Sequence, residues 1–252
     1  MKARNKRLYI ENLTVSFDGF KALNDLTLYV DPGEMLCIIG PNGAGKTTVF
    51  NLATKFLSPT RGSIHFNGKD ITHEAPAQVA RRGLVRSFQI SAVFPHLTVL
   101  ENVRVAMQRK LGTSFHFWRS QNSLNAINDE ARALLALVGL DTHAETVTVE
   151  LPYGRKRALE IATTLAVDPE LLLLDEPTTG MSLEDLDKVK NLIREVATSR
   201  TVLMVEHNMS VVADLCDIIT VLQRGSVLAE GSYDEVAANP LVMEAYMGVA
   251  HE

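Results

Sequence analysis

The segment Gly40-Pro41-Asn42-Gly43-Ala44-Gly45-Lys46-Thr47 constrains the fold more than any other stretch of the chain. An apolar run, Met35 to Ile39, leads into it, and a helical pattern starts near Lys46. A strand, a glycine-rich turn and a helix in that order form the setting in which a loop cradles phosphate. The glycines let successive backbone N–H groups turn inward, and the helix N-terminus adds partial positive charge. Lys46 is then placed to neutralise the β and γ oxygens of a nucleotide, and the Thr47 hydroxyl to reach Mg2+. Gly40, Pro41, Asn42, Gly43, Ala44, Gly45 and Thr48 complete the expected cradle.

Elements of both periods surround this turn. Leu8 to Phe17 alternates as a strand, Leu26 to Val30 reads as another before the turn Asp31-Pro32-Gly33-Glu34, and Ser63 to Phe66 as a further one ending at Asn67-Gly68. From Ile90 to Glu150 the pattern is helical, with Leu124, Ile127, Ala131, Leu134, Leu135 and Val138 three and four residues apart. Gly112 to Trp118 reads as a surface loop. Leu171 to Leu174, Thr201 to Val205 and Ile218 to Leu222 are short apolar strands separated by helical segments, as in a parallel sheet covered by helices. The expectation is an α/β fold: a P-loop NTPase core on a mixed or parallel sheet, an N-terminal antiparallel β subdomain and an inserted helical subdomain. No linker or repeat divides the chain, so residues 1–252 are expected to form one nucleotide-binding domain. Its β-rich and P-loop core would comprise 1–89 and 160–252, and its helical subdomain about 90–159.

A phosphate loop is shared by GTPases, kinases, helicases and transport motors, so a second site must choose among them. Leu171-Leu172-Leu173-Leu174-Asp175-Glu176 supplies it: four apolar residues put a strand in the sheet interior, and Asp175 at its end can reach the shell of a Mg2+ ion. Glu176, one step further, is suited to orient and deprotonate an attacking water as general base.

A net charge of -5, with 22% charged residues, gives no basic field for nucleic acid, and none is expected as a partner. Two cysteines, Cys37 and Cys216, imply no disulfide framework and fit a reducing setting. The basic opening Met1 to Arg7 reads as a frayed terminus rather than a lipid-touching arm. Apolar runs such as Leu171 to Leu174 fall far short of the roughly 20 residues that span a bilayer.

Three further features carry a family resemblance: Gln89 in Arg86-Ser87-Phe88-Gln89, the helix-opening Leu151-Pro152-Tyr153-Gly154-Arg155, and His207 after the strand Thr201 to Glu206. In this order they resemble the Q-loop, signature segment and switch histidine of ABC transporter nucleotide-binding domains. The resemblance runs from Phe17 to Asn239-Pro240 and Ala245-Tyr246-Met247-Gly248. The P-loop region, Val205 to Met209 and those last segments look like the branched-chain amino acid importer subgroup.

The resemblance implies ATP and Mg2+ as ligands and hydrolysis as the activity. Phe17 would stack on adenine, Gln89 would join Thr47 and Asp175 at the metal, and His207 would hold the γ-phosphate and water with Glu176. Tyr153 and Gly154 would offer backbone donors to ATP held by a second nucleotide-binding domain, identical or homologous. It also implies permease subunits, indirectly a solute-binding protein, and a peripheral place on the cytoplasmic face of the inner membrane. The groove beside Gln89 and Ile90 to Val103, with apolar Val93, Phe94, Leu97 and Leu100, reads either as the docking surface for a partner helix or simply as core packing.

Two positions depart from the family pattern. Pro152 stands where the signature serine is expected, with Arg155 in place of the usual glutamine, and Ser182 stands where many members have aspartate. Rival readings are an ATPase of lipid or lipopolysaccharide export, a soluble ABC ATPase acting on DNA or ribosomes, and a weakly hydrolysing partner in a heterodimer.

Overall fold

The computed structural model describes residues 6–17, 19–87, 93–110 and 121–247. The chain falls into two compact units. One gathers the chain up to Arg86 with Glu170–Glu176 and Ile193 onward; the other comprises Ser87–Pro169 and Pro177–Leu192.

The first unit contains two sheets. In chain order it begins with strands β1 (Leu8–Phe17), β2 (Phe20–Val30) and β3 (Met35–Ile39), helix α1 (Lys46–Ala53), then β4 (Arg61–Phe66), β5 (Lys69–Asp70), helix α2 (Pro76–Arg81) and β6 (Leu84–Ser87). The antiparallel sheet has the order β2-β1-β4-β5. Its long hairpin does not keep a simple period of two. Leu8 and Ile10 are buried, yet so are Leu13 and Val15, which lie on the opposite phase. The register shifts between Ile10 and Leu13, where Asn12 adopts a positive φ of 49°. One extra residue at a bulge reverses the phase and returns the next apolar side chains to the core. The opposite strand does the same at Asp25, φ 54°. Facing threonines satisfy both bulges: the Asn12 N–H donates to Thr27 Oγ1 at 3.1 Å and the Asp25 N–H to Thr14 Oγ1 at 3.2 Å.

The second sheet is completed by segments from later in the chain. Helices α3 (Val99–Lys110), α4 (Gln121–Leu137) and α5 (Tyr153–Leu165) precede β7 (Leu171–Asp175). Then follow α6 (Leu183–Ala197), β8 (Thr201–Val205), α7 (Met209–Leu215), β9 (Ile218–Gln223), β10 (Ser226–Gly231), α8 (Tyr233–Ala237) and α9 (Pro240–Met247). The order is β10-β9-β3-β8-β7-β6, with β9, β3, β8 and β7 mutually parallel and β10 antiparallel to β9. Every residue of β3, β7 and β8 is buried, which is why these strands read as continuous apolar runs rather than alternating ones. Phe50 of α1 and Phe66 of β4 are the bulkiest side chains of the core that joins both sheets to α1.

The expected strands are all present, but β2 starts earlier than Leu26, at Phe20, because the bulge at Asp25 lets Leu23 join the same face. Neither β5 nor β10 was anticipated; β10 is nowhere fully buried and carries no strong apolar alternation. The expected loop Gly112 to Trp118 lies outside the described residues.

The second unit packs α3, α4 and α5 around Val99, Val103, Met107, Ile127, Ala131 and Leu135 with Leu159 and Ala162, at the i, i+4 spacing of amphipathic helices. Asn102 is buried there and fully used. Its Nδ2 donates to the Phe94 and Thr98 carbonyls and to Thr148 Oγ1, and its Oδ1 accepts from the Phe94 N–H at 2.7 Å. Of the stretch left open between docking and core packing, Leu100 and Val103 are core residues of this unit; Phe94 is exposed, and Val93 and Leu97 are half-buried. Among the described residues no helix is long and apolar enough to cross a membrane.

One residue of the first unit sits badly. Lys55, just past α1, is in the left-handed region at φ 65°, and its buried amine finds no hydrogen-bond partner among the described residues. Burial pushes that amine below the usual lysine value, with Asp70 pulling the other way. Glycine pays no such steric cost at this position after a helix. Lys55→Gly is therefore expected to stabilise the fold by about 1 kcal/mol, a rise of a few degrees in Tm. A thermal melt showing no rise would contradict the assignment of strain.

Candidate functional site

The loop after β3 is shaped by contacts that only glycine permits. Gly40 has φ 147°, and a Cβ there would lie 2.2 Å from the Leu222 carbonyl oxygen of β9. Gly45, with φ 105°, caps α1, and a Cβ there would meet the Leu23 side chain at 2.7 Å and the Ala22 oxygen at 3.0 Å. The loop is thus clamped between β9 and the β2 hairpin. Phe17, 45% exposed, pairs with Phe20 at the turn end of that hairpin, close in sequence to the Ala22 and Leu23 that meet the loop.

Lys46 Nζ donates to the loop carbonyls of Gly40 at 2.6 Å and Pro41 at 3.0 Å. Burial pushes its amine below the usual lysine value, while the charges of Glu176 and Asp175 pull it up. Asn42, Gly43 and Thr47 face solvent, Pro41 and Thr48 are half-buried, and Ala44 is buried. A cationic amine held inside an open loop of backbone donors fits a polyphosphate.

Asp175 ends β7 with no solvent exposure, within electrostatic reach of Lys46 and in a salt bridge with Arg86. Thr47 and Asp175 are both hard oxygen donors, the set that suits Mg2+ held jointly with phosphates. Glu176 follows in the left-handed region, φ 45°, its N–H donating to the Val205 carbonyl at 2.8 Å. A non-glycine residue in that region stores strain, and such positions cluster where a side chain must be aimed. His207 Nδ1 lies 3.9 Å from Glu176 Oε2, and its side chain is 60% exposed. The structure thereby brings the loop, both carboxylates and the histidine into one unit. Gln89 lies outside the described residues.

The signature segment belongs to the helical unit. Pro152 is the N-cap of α5 with φ -60°, so its ring is accommodated, but it offers no side-chain cap. Tyr153 is 56% exposed and Gly154 half-buried. A Cβ on Gly154 would lie 2.9 Å from the Asp185 carboxylate, so that acid covers the glycine. Arg155 Nη1 lies 2.6 Å from His143 Nε2, and its charge is directed there. The Ser182 hydroxyl is engaged locally, donating to Asp185 Oδ2 at 2.9 Å and accepting from its N–H.

Residues 23–179 match the ABC transporter family, more than half of the chain. The chain belongs to that family. As an ATP-binding cassette it is an ATPase, and residues 226–252 match the C-terminal region of the branched-chain amino acid ATP-binding cassette transporter group. The cassette is 38% identical to the high-affinity branched-chain amino acid transport ATP-binding protein BraF of Pseudomonas aeruginosa, covering 96% of this chain and 98% of the relative. It is 37% identical to the corresponding protein LivG of Escherichia coli, with the same coverage. Among solved structures, an ATP-binding cassette of an ABC transporter in its ADP conformation superposes with a TM-score of 0.84 at 28% identity, covering 96% of this chain and 99% of the other.

Three residues of this cassette's site escaped the sequence reading. Arg86 touches Asp175 directly. Glu206, buried beside the histidine, accepts the His207 and Asn208 N–H groups at 2.8 and 3.0 Å and so fixes the backbone that carries the imidazole. Tyr246 of α9 meets the Gly40 backbone; burial pushes its phenol up, partly offset by that hydrogen bond. An arginine flanking a strand and a carboxylate preceding the histidine were weak signals; nothing near Tyr246 in the sequence pointed to the loop. Because the Leu222 oxygen is backbone and cannot swing away, Gly40→Ala is expected to lose about 2–4 kcal/mol of stability. Chemical denaturation would test this, and a loss under about 1 kcal/mol would refute the clamp.

Proposed function

We propose that this cassette powers the import of branched-chain amino acids, or closely similar small solutes, through separate permease subunits fed by a solute-binding protein. The reading is carried by end-to-end likeness to BraF and LivG, both of which are named for branched-chain amino acid transport. The solute itself meets other subunits, so the cassette's own chemistry is that of ATP.

In the proposed mechanism Lys46 leaves its loop carbonyls for the β and γ oxygens of ATP, and the loop from Gly40 to Thr48 holds the phosphates through backbone donors. Phe17 stacks on the adenine. Thr47, Asp175 and Gln89 would hold Mg2+, which would supply neutralisation of the charge developing on the phosphates. Glu176 accepts a proton from the attacking water, and His207 on the neighbouring strand end holds the γ-phosphate. Tyr153 and Gly154 at the start of α5 serve ATP bound by a second cassette, identical or homologous, so that two cassettes close on two nucleotides. The closing motion passes to the membrane partners at Gln89 and the exposed Phe94 with Val93 and Leu97. The cassette works as a peripheral protein on the cytoplasmic face of the inner membrane.

Two substitutions test the chemistry. Glu176→Gln keeps shape and backbone but removes the base, so ATP affinity should change little while turnover falls at least about 100-fold. Equal loss of binding and turnover would remove Glu176 from that role. Pro152→Ser supplies the missing hydroxyl and an N-cap for α5, and should raise turnover together with about 1 kcal/mol of stability. Stability gained without turnover would show that the hydroxyl plays no part across the dimer. The transport assignment is tested by what co-purifies from membranes: two permease chains and a solute-binding protein are expected.

A further inference from the structure

Arg86 joins Asp175 in a pair of buried side chains at the site. Its Nη2 donates to Asp175 Oδ2 at 2.5 Å and its Nη1 to Asn51 Oδ1 at 2.6 Å. The guanidinium carbon lies 5.5 Å from the centroid of the Phe50 ring. The side chains of Arg86 and Asp175 are only 9% and 0% exposed, so neither charge is screened by water and each depends on the other. Arginine's planar fork fixes direction as well as charge. The two arms together tie the Asp175 carboxylate, through Asn51, to the C-terminal half of α1, the helix whose first residues are Lys46 and Thr47.

We propose that Arg86 is a positioning residue that holds the Asp175 carboxylate in fixed register with Thr47, so that two metal donors from separate elements are pre-organised for Mg2+. The proposal rests on the reading of Thr47 and Asp175 as the protein ligands of that ion. A bridge from β6 to α1 and β7 sets the spacing of the donors before any metal arrives, as outer partners do at other metal sites. ATP binding without metal depends on the loop amides and Lys46, which the bridge does not touch.

The test compares the affinity of the full-length chain for a fluorescent ATP analogue in EDTA and in Mg2+, for wild type, Arg86→Lys, Arg86→Gln, Asn51→Ala and Asp175→Asn. Arg86→Lys retains the charge but loses the two-armed bridge. It should bind the analogue in EDTA within about twofold of wild type while losing about 10-fold of the enhancement that Mg2+ gives. Asn51→Ala should shift in the same direction by less, and Arg86→Gln by more. If Arg86→Gln does not fold, judged by near-ultraviolet circular dichroism, the lysine and Asn51 variants decide alone. Full Mg2+ enhancement in both of these, or equal weakening in EDTA and Mg2+, would overturn the proposal. Asp175→Asn separates the two levels. If it keeps the enhancement, the metal reading itself fails; if it loses the enhancement while the Arg86 and Asn51 variants keep it, only the positioning role fails.

Discussion

The site depends on the contact between one glycine and one carbonyl. β3 is buried on both faces between β8 and β9, so its chain leaves the sheet under tight confinement. At Gly40 it turns against the Leu222 oxygen with no room for a methyl group. That turn puts the loop over the C-terminal ends of the parallel strands, where strand ends and a helix start converge in open α/β sheets. Asp175 and the residues flanking Val205 lie on neighbouring strand ends in the same register, because Asp175 pairs with Val205. The loop, the carboxylates and the histidine are therefore consequences of parallel pairing rather than separate features.

Charge within this arrangement is balanced by contact. A fully buried carboxylate at Asp175 is tolerated because Arg86 is in contact and Lys46 is near. Glu206, equally buried, is satisfied by two backbone N–H groups of the turn that follows it. Glu176 is set apart from both: it is partly exposed, in a strained backbone conformation, and 3.9 Å from a histidine that itself faces solvent. The buried acids hold geometry, and the exposed pair remains accessible to chemistry.

Much of this was readable in advance, for a physical reason. β3, β7 and β8 are uniformly apolar, and the loop's glycines are spaced by local geometry, so both leave unbroken local signals. The hairpin was less legible, since the bulges at Asn12 and Asp25 reverse the alternation that identifies a strand face. β10 was missed because an edge strand that is only partly buried has little apolar pattern. Arg86 carries no local signal, since its partner Asp175 lies 89 residues away and no local rule joins them. At Leu100 and Val103 the sequence leaves docking and core packing equally open, because apolar residues look alike whether they face a partner or a core; the packing of α3 decides for the core.

The pairing of β3 also governs how the protein can be made. Leu36 lies beside Leu203 on one side and Ile218 on the other, so both flanks of this strand are completed by segments near the end of the chain. On a ribosome β3 emerges early and waits, its edges unpaired, while the helical unit forms. Nascent chains in that interval expose an apolar five-residue strand with open hydrogen-bonding edges, the feature most prone to association with other chains. Translation halted between α1 and β8 would leave a polypeptide that holds the whole phosphate loop without the two parallel neighbours, β8 and β9, that flank β3.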